Sequence, residues 1–174
     1  VAVTIVATVG SASANSFVTL AEAETYCEAR LNVALWDAAT DDTKNRALVE
    51  ATRELDPLLW AGYRTDDVQS LAWPRQWVVN PDDPNLDYFD NDEIPQRVKD
   101  GTCEMALQFV KAGTSDVAAN PSDLNIKRKK IDVIETEYFG AHTTPQGLAR
   151  YPRVERLVQP LLETSGASLS IIRG

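Results

Sequence analysis

The chain has 174 residues and a mass of 19.2 kDa, with 17 Lys and Arg against 26 Asp and Glu, a net charge of −9 and an isoelectric point near 4.6. Hydrophobic residues at 44% and charged residues at 25% match the globular average, which excludes a low-complexity chain and predicts one folded domain over 1–174. The acidic balance argues against a general nucleic-acid coat, since affinity for phosphate comes mainly from Lys and Arg displacing counterions.

The excess of acid is local: residues 1–100 hold 18 acids and 8 bases, and residues 101–174 hold 8 acids and 9 bases. No run approaches the ~18 apolar residues of a membrane span, so a soluble protein without membrane partners is expected. Residues 1–10 alternate Val3, Ile5, Ala7 and Val9 with Thr4 and Thr8 and lack a basic leader. This is a strand pattern and not a signal peptide, and residues 1–14 read as an N-terminal arm.

Thr19-Leu20-Ala21-Glu22 fits a capping box, in which a hydroxyl and a carboxylate satisfy two otherwise unpaired N–H groups. The helix it opens places Leu20, Ala23, Cys27 and Leu31 on one face and is expected to end near Asn32. A second helix starts after Thr40 or Asp41, with Leu48, Ala51, Leu55 and Leu59 at helical spacing, until Pro57 and Trp60-Ala61-Gly62 weaken it.

Residues 61–94 carry little periodicity. Trp73-Pro74-Arg75 and Trp77 read as an aromatic anchor, and residues 80–93 read as an acidic loop bearing Asp82, Asp83, Asp87, Asp90, Asp92 and Glu93. A third helix begins at Ile94-Pro95, with Pro preset for the first turn, an inward stripe of Val98, Thr102, Met105, Ala106 and Phe109, and Gly113 at its end.

Residues 125–138 form a hairpin candidate with the basic run Lys127, Arg128, Lys129 and Lys130 on its first arm. After Pro152, Val154, Leu157, Val158, Leu161 and Leu162 mark a short helix. Residues 164–167 then form a flexible joint, and 168–173 return to strand alternation, so 164–174 read as a C-terminal arm. The sum is a mainly α fold: a small bundle of about four helices over 15–163, with a β-hairpin near 125–138 and strand-like arms at both ends.

Catalytic machinery is not legible. The lone His142 has no nucleophile elbow or His-Glu-x-x-His helix around it, and the scattered glycines form no phosphate-cradling loop. The acidic loop misses the EF-hand spacing, so a solvated loop that can dock a basic partner, or line a passage for DNA, is preferred over a calcium site. Cys27 and Cys103 lack ligand spacing and read as buried free thiols. No catalytic, metal or cofactor residue is therefore assigned, and no enzyme activity is expected.

The basic run at Lys127–Lys130 is either a solvated strand edge or a contact for a phosphate backbone or an acidic partner. The four tryptophans Trp36, Trp60, Trp73 and Trp77 read as core or interface anchors in preference to base-stacking platforms. Two strand-patterned ends without a partner inside a helical bundle point to pairing with a neighbouring chain, hence to an assembly protein.

Residues 14–26, Ala-Asn-Ser-Phe-Val-Thr-Leu-Ala-Glu-Ala-Glu-Thr-Tyr, resemble the N-terminal signature of tailed-bacteriophage proteins labelled DnaT-like and single-stranded-DNA-binding. Leu71-Ala72-Trp73-Pro74-Arg75 resembles their mid-chain motif, Ile94-Pro95, Val98-Lys99 and Cys103–Leu107 their third helix, and the closing Arg173-Gly174 their C-terminus. The acidic loop is longer than the family's turn. Such proteins are similar to head-to-tail adaptors, also called head-completion or connector proteins.

That resemblance implies a virion structural protein of the phage neck, synthesised in the bacterial host cytoplasm. It would form a homo-oligomeric ring, usually of twelve copies, between the portal protein and the tail or tail-completion protein, with DNA passing non-specifically through the lumen. Leu169, Ile171, Ile172 and Arg173 would belong to the C-terminal arm that grips the portal or a neighbour. The alternative is a single-stranded-DNA-binding protein, as the label says, and a blander one is an enzyme subunit or scaffold.

Overall fold

The expected capping box is formed: the backbone N–H of Glu22 donates to Thr19 Oγ1 at 3.2 Å and that of Thr19 to Glu22 Oε2 at 2.8 Å, which opens α1 (Leu20–Glu28). The computed structural model describes residues 2–114, 128–131, 134–137 and 147–163, the two middle segments as backbone. Helix α1 ends at Glu28, short of Asn32, and Leu31 lies beyond it, 87% exposed.

A short helix not anticipated from the sequence follows, α2 (Ala34–Asp37), which carries Trp36 into the core. Glu24 fixes it there: its carboxylate accepts from Trp36 Nε1 at 3.2 Å and from Lys44 Nζ at 2.7 Å.

Thr40 caps α3 (Asp41–Leu55), whose Leu48, Ala51 and Leu55 are buried as the spacing predicts, whereas Leu59 falls beyond the helix and is exposed. Helix α4 (Gln96–Ala112) begins one residue after Pro95, which takes the cap position, and ends at Gly113 in the left-handed region at φ 69°. The predicted stripe is buried, and so are Gly101, Cys103, Glu104 and Leu107. Helix α4 is thus the central helix, because α1, α2 and α3 pack on it and α5 (Pro152–Val158) covers it as well.

Gly101 faces α5. A Cβ there would stand 3.0 Å from Val158 Cγ1. Val154, Val158 and Leu161 complete the core from α5 and the 3-10 turn after it. The chain then runs back antiparallel to residues 59–61: Ala61 N donates to Leu161 O at 2.9 Å and Glu163 N to Leu59 O at 2.8 Å.

Two small antiparallel sheets accompany the five α-helices of the described residues: β1 (Tyr63–Arg64) with β2 (Arg75–Gln76), and β3 (Arg128–Ile131) with β4 (Ile134–Glu137). The second is the hairpin expected near 125–138.

Among the described residues the N-terminal arm joins no strand ladder. Side chains hold most of its backbone: Asp42 accepts from Val3 N at 2.7 Å, Asn45 donates to Val3 O at 3.1 Å, and Asn15 both accepts from Val6 N at 2.8 Å and donates to Thr4 O at 2.9 Å, while Asn15 N donates to Val6 O at 2.9 Å.

Candidate interaction surface

The stretch with little sequence periodicity, residues 61–94, is braced at its base by one side chain. Arg75 donates from Nε to Ala61 O at 2.7 Å and from its terminal nitrogens to Gly62 O at 2.6 Å, Trp60 O at 3.1 Å and Ala72 O at 3.3 Å. Burial pulls its guanidinium below the ordinary arginine value. The Trp73–Pro74 peptide bond is cis, and the buried Trp73 ring meets Trp60 edge-on at 5.6 Å.

Gly62 completes the brace. It sits at φ 68°, and a Cβ there would lie 2.2 Å from Gln76 O, so only glycine lets β1 and β2 approach. The Trp-Pro-Arg motif is therefore an anchor, as its sequence suggested, with the arginine as the part that ties the loop together.

From this base a finger projects. Phe89 N donates to Val78 O at 3.0 Å and Asn80 N to Asp87 O at 2.8 Å, which pairs residues 78–80 with 87–89. Side chains alternate as on strands: Val78 is buried and Phe89 packs on the core, whereas Trp77, Val79 and Tyr88 face outward. Asn80 and Asp83 shape the tip by accepting from Asp82 N at 3.0 Å and Asn85 N at 2.7 Å. Thr65 Oγ1 holds the base by donating to Asn91 O at 2.7 Å.

The acidic loop of the sequence is thus a short hairpin. The sequence carried little signal for it, because the flanking runs Gln-Trp-Val-Val at 76–79 and Asp-Tyr-Phe at 87–89 are short and do not alternate, and only the Asn-Pro-Asp-Asp-Pro-Asn segment between them marks a turn.

The six acidic residues do not act together. Asp82 takes a two-pronged bond from Arg97 at the start of α4, and that hydrogen bond holds its carboxyl below the usual range. Asp83 is spent on the turn, whereas Asp87 and Asp90 line a shallow depression beside Trp77 and Tyr88. Asp92 and Glu93 are exposed on the return to α4. Among the described residues no group of three or more His, Cys, Asp or Glu side chains is placed to hold a metal.

Three tryptophans, Trp36, Trp60 and Trp73, are buried, as the anchor reading predicts. Trp77 is not: it is 63% exposed, at φ 64°, and packs edge-on against Tyr88, itself 55% exposed, with ring centroids 5.4 Å apart.

The basic run falls partly in β3, which contains Arg128, Lys129 and Lys130, while Lys127 lies outside the described residues. Register places Arg128 opposite Glu137 and Lys130 opposite Glu135, leaving Lys129 opposite Thr136. The C-terminal arm with Leu169, Ile171, Ile172 and Arg173 lies outside the described residues, and so does His142.

One polar cluster escaped the sequence reading. Glu104 is buried on α4, its side chain only 2% exposed, and accepts from Arg30 at 2.8 Å, Tyr26 Oη at 3.1 Å and Gln108 Nε2 at 3.3 Å. Arg153 of α5 approaches its other oxygen at 3.6 Å. Burial and the Glu104 charge push the Tyr26 hydroxyl well above the ordinary tyrosine value. A buried carboxylate needs such partners, and here they tie α1, α4 and α5 together.

Burial also pushes the Cys27 thiol up to about 11 and Cys103 higher still, so both are inert packing groups. No helix among the described residues is long and apolar enough to cross a membrane.

Fold and surface together define a small helical bundle that carries an aromatic finger and a separate charged hairpin. The chain belongs to the family described as "Putative DnaT-like ssDNA binding protein", whose model matches residues 2–174. No curated protein and no solved structure matches it. The family description agrees with the single-strand-binding alternative of the sequence reading, and says nothing of an adaptor.

Proposed function

We propose that this chain is a virion structural protein of a tailed phage, a head-to-tail adaptor that closes into a ring beneath the portal and offers the tail its attachment surface. The observation that carries this reading is the finger: an exposed aromatic pair rimmed by Asp87 and Asp90. Exposed aromatics amid carboxylates suit a protein partner, because a nucleic-acid backbone would be repelled by the same rim.

The C-terminal arm, with Leu169, Ile171, Ile172 and Arg173, is the segment assigned to gripping the portal or a neighbouring subunit, and DNA passes the lumen without specific contacts. Mass spectrometry of purified particles tests the reading directly: the protein should be present in stoichiometric amounts, and its absence from particles would sink the proposal. Deleting residues 166–174 should leave a folded monomer that fails to complete heads. Normal completion by the truncated chain would refute the role of the arm.

The second reading, single-stranded DNA binding, is favoured by the family description and by three consecutive bases on β3. It calls for micromolar or tighter binding of oligonucleotides that weakens steeply with salt and is lost when Lys127–Lys130 are neutralised. Fluorescence anisotropy at 50 mM salt separates the two: the adaptor reading expects no binding there.

A further inference from the structure

The finger presents two aromatic rings and Leu86, which is 62% exposed, on one projection. Water contact at so many apolar atoms is unfavourable, and Trp77 is held outward by a backbone in the left-handed region. Aromatic groups ringed by polar ones are the usual composition of the centre of a protein contact.

The rim fixes the sign of the partner. Asp87 and Asp90 flank the rings, and neither takes part in an ion pair among the described residues, whereas Asp82 is already neutralised by Arg97. The surface is thus complementary to a segment with positive charge.

The chain itself supplies one. Lys127–Lys130 is its only run of consecutive bases, and three of the four lie in β3, a strand of a two-stranded hairpin. Register matches two of them with glutamates of β4 and leaves Lys129 without an acidic counterpart.

We propose that the Trp77–Tyr88 finger of one copy is the seat for strand β3 of a second copy. The proposal deepens the ring reading above and rests on it. Finger and β3 are different parts of the chain, so the contact is head-to-tail, and each subunit offers its own finger or strand to the next. Contacts of that kind close into rings when the rotation between subunits permits. A DNA strand in the same seat would bring its phosphates against Asp87 and Asp90.

Charge-reversed full-length chains test the contact. Asp87→Lys with Asp90→Lys makes the finger positive, and Lys129→Glu with Lys130→Glu makes the strand negative. At concentrations up to ~200 μM in low salt, where the Debye length still spans the contact, wild type should self-associate in sedimentation velocity. Each variant alone should remain monomeric, because like charges then face each other. An equimolar mixture should associate again, since both of its mixed contacts pair opposite charges, and this recovery also shows that both variants are folded.

Trp77 is the one exposed tryptophan, so its emission should shift to the blue and its quenching by acrylamide should fall at least twofold on association. Zero-length carbodiimide cross-links should join Lys127–Lys130 of one isotopically labelled copy to Asp87 or Asp90 of an unlabelled one. Association that persists in both variants overturns this contact and leaves the ring reading standing. Cross-links found only within one copy overturn it as well. A wild-type chain that never self-associates overturns the ring reading along with it.

Discussion

Arg75→Lys separates a structural brace from a surface cation. In the native fold the guanidinium reaches four backbone carbonyls, those of Trp60, Ala61, Gly62 and Ala72, from a half-buried residue at the start of β2. A lysine ammonium has three donors on a flexible stem and cannot span this fork, so at least two carbonyls lose their partner. Each hydrogen bond to a charged donor contributes about 1.5–3 kcal/mol, and the losses are not additive, which sets the expected destabilisation at about 3–5 kcal/mol.

For a domain of this size each kcal/mol lowers Tm by roughly 2–4 °C, so the melting point should fall on the order of 10 °C. The assay is urea and thermal unfolding followed by circular dichroism, with Arg97→Lys as the control. That residue pairs with an exposed aspartate, and its replacement should cost under about 1 kcal/mol. An Arg75→Lys chain less than about 1 kcal/mol below wild type would refute the brace, and with it the claim that this residue positions the finger.

Gly62→Ala should be worse tolerated than alanine at Gly113, although both glycines have positive φ, because only Gly62 has Gln76 O within 2.2 Å of the added Cβ; comparative urea midpoints check this. Native Cys27 should react with a thiol reagent at pH 8 more than about a hundredfold slower than a free cysteine, since a pKa of about 11 leaves little thiolate, and both thiols should become reactive only on unfolding. Burial opposes ionisation of Glu22, but hydrogen bonds from Lys99 and Thr19 prevail and hold its carboxyl below the ordinary 4.5. The stabilisation it brings is therefore full above the unfolded value and is lost as pH falls through the lower folded one. Glu22→Gln should flatten that part of the acid limb in a pH series of urea unfolding curves.

Most helix starts and inward faces were legible because their causes lie within one or two turns, although α1 ends before Leu31 and α3 before Leu59, both of which are exposed. The capping box at Thr19, the stripe Leu48-Ala51-Leu55, the stop at Gly113 and the spacing from Val154 to Leu161 are each set by residues three to eight apart. The hairpin at β3 and β4 belongs to the same class, since its two arms adjoin a short turn. Helix α2 escaped notice because four residues are too few for a period, and its place depends on Glu24 bonding both Trp36 and Lys44.

The candidate site was read only in part. Residue type marked Trp77 and the carboxylates from Asp82 to Glu93 as notable, but nothing local distinguishes Trp77 from Trp60 or Trp73. Burial is decided by which long-range contacts form: Trp73 meets Trp60 beneath the Arg75 brace, while the left-handed turn at Trp77 swings its ring outward against Tyr88. Glu104 makes the same point from the core, as a carboxylate on a helix reads as solvent-facing until Tyr26, Arg30 and Arg153 arrive from distant parts of the chain. By itself the sequence determined four of the five described α-helices, most of their inward faces and the segregation of acid into the first hundred residues, since these follow from neighbours along the chain. Tertiary structure alone decided which tryptophan faces water and which carboxylate is buried, because those outcomes depend on groups well outside the local turn, many of them dozens of residues apart, meeting in space.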